Sequence, residues 1–227
     1  MEAELKFKYK EGFSQFDIIN ASFIANNLLK AGNMSYAMRS SYYDTSDEFF
    51  RRRMAVLRLR RQNERFYVTL KMPILKPLEH SEGYFERQEY EFELQERDKA
   101  IDLSLGLNSN WFLQRLNENG IDTYSQDLIQ LLKLAEKQPL HEVCVADYTR
   151  TSYAFAFRTS HFEICFDEGY LGTSEKIEQF SELEFELLSG KGEDLVALKG
   201  ILLEHLPLVP MRQSKYGRAI AIADQLK

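Results

Sequence analysis

EAELK, residues 2–6, sets carboxylates at Glu2 and Glu4 and an ammonium at Lys6 around Ala3 and Leu5. That is the period of a β-strand, in which Glu2, Glu4 and Lys6 face one way and Ala3, Leu5 and Phe7 the other. The apolar face points to a core. The charged face meets either bulk water, the common fate of such a face, or a ligand.

The same alternation runs through the chain. AVLRLRR (55–61) puts Arg58 and Arg60 on one face and Leu57 and Leu59 on the other, and YVTLKMP (67–73) gives Lys71 the parity of Thr69 and Tyr67. YFERQEYEFEL (84–94) lines one side with Arg87, Glu89, Glu91 and Glu93. Arg150 alternates in DYTRTSY (147–153), and Glu163, Cys165 and Asp167 share one parity in HFEICFD (161–167). SELEFELLSG (181–190) repeats the opening with Glu182, Glu184 and Glu186.

One wet face of an antiparallel sheet also alternates, but such a face mixes neutral polar residues and sets opposite charges across from each other. Here the charges are sorted by strand: carboxylates on the first and last, guanidinium and ammonium groups on the middle ones. Sorting of this kind is costly on a solvated face and logical inside a closed barrel. Carboxylates at i and i+2 lie roughly 7 Å apart. Two such pairs side by side make an all-oxygen site for a hard cation, Mg²⁺ or Mn²⁺. The facing Arg and Lys residues then call for a highly charged anion, which a polyphosphate supplies.

Strands are expected at 2–9, 54–61, 65–72, 84–94, 143–157, 161–167 and 180–188. The stretch QNE between the second and third of these reads as a hairpin. Helices are expected from Ser14 to about Lys30, with Phe16, Ile19, Phe23 and the Asn27/Leu28 region buried and Gly32 ending it; around Trp111, Phe112 and Leu116; around Leu128, Leu131, Leu132 and Ala135; at 193–205; and at 214–225. The class is α+β: an antiparallel closed β-barrel tunnel of about eight strands with a charged interior and helices packed outside.

The 227 residues, 44% of them apolar, suit one domain without linkers. The charged N-terminus and the lack of a run of ~18 apolar residues point to a cytoplasmic protein with no membrane partner. A net charge of −6 argues against a nucleic-acid partner. Cys144 and Cys165 read as buried free thiols, and His80, His141, His161 and His205 form no ligand cluster.

The blocks ExExK (Glu2, Glu4, Lys6), YYDTSD (42–47), LRLR (57–60), TLKMP (69–73), RQEYE (87–91), FDEG (166–169), ELEFELLSG (182–190) and SKYGR (214–218) together resemble the CYTH superfamily, the triphosphate tunnel metalloenzymes. The likeness covers essentially the whole chain and is greatest to the CYTH domains of bacterial inorganic triphosphatases. Many of those carry a helical CHAD domain after the tunnel. None is seen in these 227 residues, so residues 1–227 are expected to form a single CYTH domain, either a stand-alone enzyme or part of a longer chain. RRRMAV (51–56) replaces a glycine-containing approach to LRLR, leaving the conformation of Arg51 to Arg53 open.

The resemblance implies metal ligation by Glu2, Glu4, Glu182 and Glu184, with Asp167 and Glu186 in support. It also implies phosphate binding by Lys6, Arg58, Arg60, Lys71, Arg87, Arg150 and Lys215. Lys6, Glu89 and Glu91 are the candidate catalytic groups, with the two carboxylates placed to orient the attacking water. Arg87 has a plainer alternative, pairing with Glu89 or Glu91. The implied activity is metal-dependent hydrolysis of inorganic triphosphate to pyrophosphate and phosphate. Two alternatives stay open: an organic triphosphate enzyme (a thiamine triphosphatase or class IV adenylyl cyclase), with Tyr42, Tyr43, Phe66 or Trp111 as a recess for the organic group, and a non-catalytic polyphosphate-binding module. Tyr42 and Tyr43 otherwise read as packing residues at a sheet edge.

Overall fold

The computed structural model describes residues 1–74, 76–78, 81–98, 102–136 and 138–226; His80 lies outside them. The strands are β1 (Glu2–Tyr9), β2 (Leu28–Asp44), β3 (Val56–Gln62), β4 (Arg65–Met72), β5 (Tyr84–Glu93), β6 (His141–Phe157), β7 (Ser160–Gly172), β8 (Ile177–Ser189) and β9 (Leu208–Pro210). The helices are α1 (Gln15–Ile19), α2 (Ser22–Ala25), α3 (Ser109–Glu118), α4 (Gln126–Ala135), α5 (Gly192–His205) and α6 (Lys215–Asp224).

The strands pair antiparallel in the order β5-β4-β3-β2-β6-β7-β8-β1, and β1 returns to β5 to close the barrel. One edge of β1 pairs with β8. The other pairs with β5 over Glu2–Leu5 and then with β9 over Phe7–Tyr9. Gly83 sits where β5 gives way to β9: its carbonyl accepts from Lys6 N–H at 2.8 Å, and its φ of +85° is one that side chains disfavour. A Cβ there would stand 2.9 Å from the Pro210 side chain.

Outward-facing residues build two cores under the helices. Leu5, Phe7, Phe162, Ile164, Leu183 and Phe185 pack with Leu195, Leu198 and Leu202 of α5 and with Ile18 and Ile24. Leu57, Val68, Leu70, Tyr90 and Phe92 pack with Phe112 and Leu116 of α3 and Leu128, Leu131 and Leu132 of α4. A third cluster differs in kind. Ala219, Ile220 and Ile222 of α6 pack against Met38, Tyr42, Val56, Cys144, Ala146 and Tyr148, which share the parity of the inward-facing residues. Helix α6 therefore closes one end of the barrel, while the other helices lie against its outside.

The expected helix from Ser14 to Lys30 is two short pieces, and the segment from Leu28 onward is the 17-residue β2. Phe16, expected to be buried, is 73% exposed; Ile18 and Ile24 fill the core instead. Strand β2 escapes a pattern search because its inner face is Tyr36, Met38, Ser40 and Tyr42, without the β-branched residues that mark strands. It is specified by pairing along both edges, with β3 and β6. The β3–β4 hairpin is as expected, and its turn residue Asn63 is pinned to β2 by exchange of hydrogen bonds with the Ala37 backbone.

Asp44 ends β2 and organises the loop that leads to β3. Its buried carboxylate accepts from the backbone N–H groups of Thr45 at 2.8 Å and of Phe50 and Arg51 at 2.9 Å. Arg51–Arg53 form a 3₁₀ turn on this support, which answers the conformation the sequence leaves open. Asp44→Asn keeps one acceptor of two and is expected to cost about 1–2 kcal/mol in urea denaturation; an unchanged midpoint would mean the loop is held by other contacts.

Candidate active site

The inward faces enclose a cavity of about 240 Å³. Its acidic wall follows from strand register. Glu4 of β1 pairs with Glu186 of β8, which pairs with Glu163 of β7, so three inward carboxylates lie abreast on adjacent strands. Like charges set opposite each other destabilise a sheet. The Glu163 and Glu186 carboxyls and the Cys165 thiol approach within 4.8 Å. Among the described residues Glu186 has no ion-pair partner. Burial chiefly, with Glu2 and Glu184 adding, pushes the Glu4 carboxyl up to about 8 against the pull of Lys6. Burial and the nearby Glu2 charge raise Glu186 to about 7. The row holds more carboxyl groups than its cations can balance in ionised form, and a hard divalent ion, by taking them as deprotonated ligands, suits that oxygen-rich surplus.

Deeper in the wall the carboxylates are already matched. The Lys215 ammonium lies 2.6 Å from Asp167 and 2.9 Å from Glu184 and also contacts Glu182; Arg150 pairs with Asp167 and Glu184, and Arg218 with Glu182. Lys6 joins Glu4, at 2.8 Å, to Glu184. Burial works against ionisation of Glu184, but Lys215, Lys6 and Arg150 override it and hold its carboxyl well below the usual range. Asp167 and Glu182, expected near the metal, have no exposed surface and do not line the cavity. Even so, the carboxylate oxygens of Asp167, Glu182 and Glu184 lie within 4.8 Å of one another, a second set close enough to ligate one ion.

The facing wall comes from β3, β4 and β5. Arg58 donates to Glu91 at 3.1 Å and Glu89 at 3.5 Å, and Arg60 to Glu91 at 2.7 Å. Glu91 also accepts from the Thr69 hydroxyl at 2.6 Å. Lys71 pairs with Glu89 at 3.3 Å and with Glu2. Burial disfavours the Glu2 charge, yet Lys71, with Lys6 and Arg58 beyond it, holds its carboxyl at about 2. The middle strands are therefore not purely basic, since Glu89 and Glu91 neutralise the cluster from within. Arg87 lines the cavity and pairs with neither Glu89 nor Glu91. Among the described residues it has no ion-pair partner.

Tyr42 is not at a sheet edge: β2 is paired on both sides there, and Tyr42 faces the cavity near the end that α6 closes, its ring 5.2 Å from Tyr216. Tyr36, Tyr148 and Phe85 also line the cavity; Tyr43, Phe66 and Trp111 do not. Glu163, Tyr216 and Arg218 were absent from the sequence-based site. The inward parity of Glu163 was visible, but its place beside Glu186 depends on the β7–β8 register.

A family model described as the CYTH domain matches residues 1–208. The chain belongs to the CYTH domain family. An inorganic triphosphatase of Haemophilus influenzae is 28% identical over 158 residues, a match spanning 69% of this CYTH chain and 37% of that protein. The chain thus spans little more than a third of that relative. Two solved structures share the CYTH fold along the whole chain. HpAC1 of Hippeastrum, in which a dominant triphosphatase activity was found, is similar at a TM-score of 0.59 with 16% identity, covering 100% of this chain and 97% of its own. PH1819 of Pyrococcus horikoshii is similar at 0.53 with 18% identity, covering 97% and 99%.

The raised carboxyls of the CYTH cavity make a signed prediction. Glu4 and Glu186 titrate above their ordinary 4.5, so between about pH 5 and 8 the folded state binds more protons than the unfolded state. Their contribution to stability is complete below about pH 4.5 and is lost as the pH rises through 7 and 8. In EDTA the melting temperature is expected to fall across that window. Mg²⁺, which needs the deprotonated carboxylates, is expected to raise it more at pH 8 than at pH 6. A Mg²⁺ effect independent of pH would show that the row does not hold the ion.

Proposed function

We propose that residues 1–227 act as a CYTH triphosphatase that hydrolyses inorganic triphosphate to pyrophosphate and phosphate with Mg²⁺ or Mn²⁺. The observation that carries this reading is the closed cavity in which the under-neutralised row Glu4, Glu186 and Glu163 faces Arg58, Arg60, Lys71 and Arg87. The inorganic triphosphatase of Haemophilus influenzae supports it. So does size: about 240 Å³ falls below the ~300–1,000 Å³ of pockets for drug-sized ligands, and Tyr42 against Tyr216 takes up space at the end that α6 closes. The buried free thiols Cys144 and Cys165 fit a cytoplasmic setting.

Glu4, Glu186 and Glu163, with Glu2 and Glu184 beside them, would hold the ion, and Asp167 and Glu182 serve by fixing Lys215 and Arg150. When bound, the divalent ion draws charge from the phosphoryl oxygens and lowers the barrier to attack. The residues of the chain do the rest. Arg58, Arg60, Lys71 and Arg87 turn toward the phosphates, an exchange of carboxylate for phosphate partners that guanidinium groups suit. That exchange frees Glu89 and Glu91 to orient a water and take its proton as its oxygen attacks the terminal phosphorus. The bridging P–O bond breaks, and Lys6 and Lys215 stabilise the charge on the departing pyrophosphate.

Phosphate release from tripolyphosphate, ATP and thiamine triphosphate, each with Mg²⁺, Mn²⁺ or EDTA, tests the reading. Metal-dependent release from tripolyphosphate far above the other two is expected. Preference for ATP or thiamine triphosphate would favour the organic alternative, with Tyr36, Tyr148 and Phe85 seating the organic group. Binding without release from any of them would favour a polyphosphate-binding module.

A further inference from the structure

Helix α6 is tied to the barrel at both ends, in different ways. Its first turns reach inward through Lys215 and Arg218 to Glu182, Glu184 and Asp167. Its last residue, roughly 14 Å along the axis at 1.5 Å per residue, is held from outside the charged cavity. There the Asp224 carboxylate accepts two hydrogen bonds from the Arg51 guanidinium, Nη1 to Oδ1 at 2.9 Å and Nη2 to Oδ2 at 2.6 Å. Arg51 also donates to Glu48 at 3.1 Å. The backbone of Arg51 is fixed by the buried Asp44 carboxylate at the end of β2. A continuous path thus runs from β2 through Asp44, Arg51 and Asp224 into α6.

The inner ties are the ones a polyphosphate competes for, since Lys215 must exchange carboxylate for phosphate to grip it. The outer tie is untouched by that exchange. A bidentate guanidinium–carboxylate pair fixes direction as well as distance. We propose that the Arg51–Asp224 pair is a latch that holds α6 across the barrel end while Lys215 changes partners, making Arg51 a positioning residue that does not touch the ligand. The effect on turnover rests on the triphosphatase reading; the effect on α6 does not.

Cys144 reports on the latch directly. Its thiol is 1% exposed and packs in the cluster formed with Ile220 and Ile222 of α6, whereas Cys165 lies in the β7 wall. Alkylation by iodoacetamide, with the modified thiol located by mass spectrometry, is expected to run about fivefold faster at Cys144 in Arg51→Ala and in Asp224→Asn, the upper end for one partly exposed ion pair. The charge-swapped double variant Arg51→Asp with Asp224→Arg is expected to return most of the way to the native rate. In parallel, Arg51→Ala should lower kcat/KM for tripolyphosphate about fivefold, through a raised KM and a lowered kcat together, because Lys215 grips phosphate in the bound substrate and holds the charge that develops on the leaving pyrophosphate. An unchanged Cys144 rate in both single variants, or equal acceleration at Cys144 and Cys165 with a lowered urea midpoint, would overturn the latch. If the native protein released no phosphate from tripolyphosphate, the triphosphatase reading would fall, and the Cys144 rates would still decide the latch.

Discussion

Glu4→Gln is expected to lose metal-dependent turnover by at least about 100-fold, more than the loss of a group that merely orients a metal ligand, while folding normally. Glu4 lies abreast of Glu186 and Glu163, and burial keeps its carboxyl protonated up to about 8. A neutral amide reproduces that protonated state in the ion-free protein, so the barrel loses little. What the amide cannot do is give up a proton and become an anionic ligand. The variant should therefore melt in EDTA close to the native protein and respond weakly to Mg²⁺. Native turnover in Glu4→Gln would remove the carboxylate row from the reaction.

Arg58→Ala is expected to damage both stability and activity. The Arg58 side chain is 11% exposed and serves Thr69, Glu89 and Glu91 together. Its removal leaves two half-buried carboxylates short of a cation; because Lys71 still pairs with Glu89 and Arg60 with Glu91, the expected cost lies between about 1 kcal/mol for an exposed pair and about 3–5 kcal/mol for deleting one partner of a buried one. The double variant Arg58→Ala with Glu91→Gln separates the two effects. It removes the stranded charge, so stability should partly return, but the phosphate contact is still missing and activity should not. A loss below about 1 kcal/mol in the single variant, the value of an exposed pair, would show that water reaches the basic wall and that Arg58 is not structurally committed.

Strands β1 and β8 were legible in the sequence because each has one face in a core and one in the charged cavity, so the two faces differ at every step. The same alternation marked Arg58, Arg60, Lys71, Arg87 and Arg150 as sharing an interior. Strand β2 was illegible for the converse reason: Ser40 and Met38 on the inside and Ser41 and Arg39 on the outside contrast too little. Alternation reports which way a side chain points but not how deep it lies. Asp167 and Glu182 do point inward, yet they sit beneath the cavity wall with Lys215 against them. Nor does it report register, which depends on the turns, so the row Glu4–Glu186–Glu163 emerges only once β8 lies between β1 and β7. Phe16 shows the limit of helical spacing, since the chain breaks between Ile19 and Ser22 and the buried residues change with the break.

The most direct test is a ³¹P NMR time course of the native protein with tripolyphosphate and Mg²⁺. Equal amounts of pyrophosphate and orthophosphate should appear as tripolyphosphate disappears, and EDTA should stop the conversion. Tripolyphosphate that persists unchanged with Mg²⁺ and with Mn²⁺, or a conversion indifferent to EDTA, would contradict the claim that the carboxylate row and the facing arginines form a metal-dependent triphosphatase.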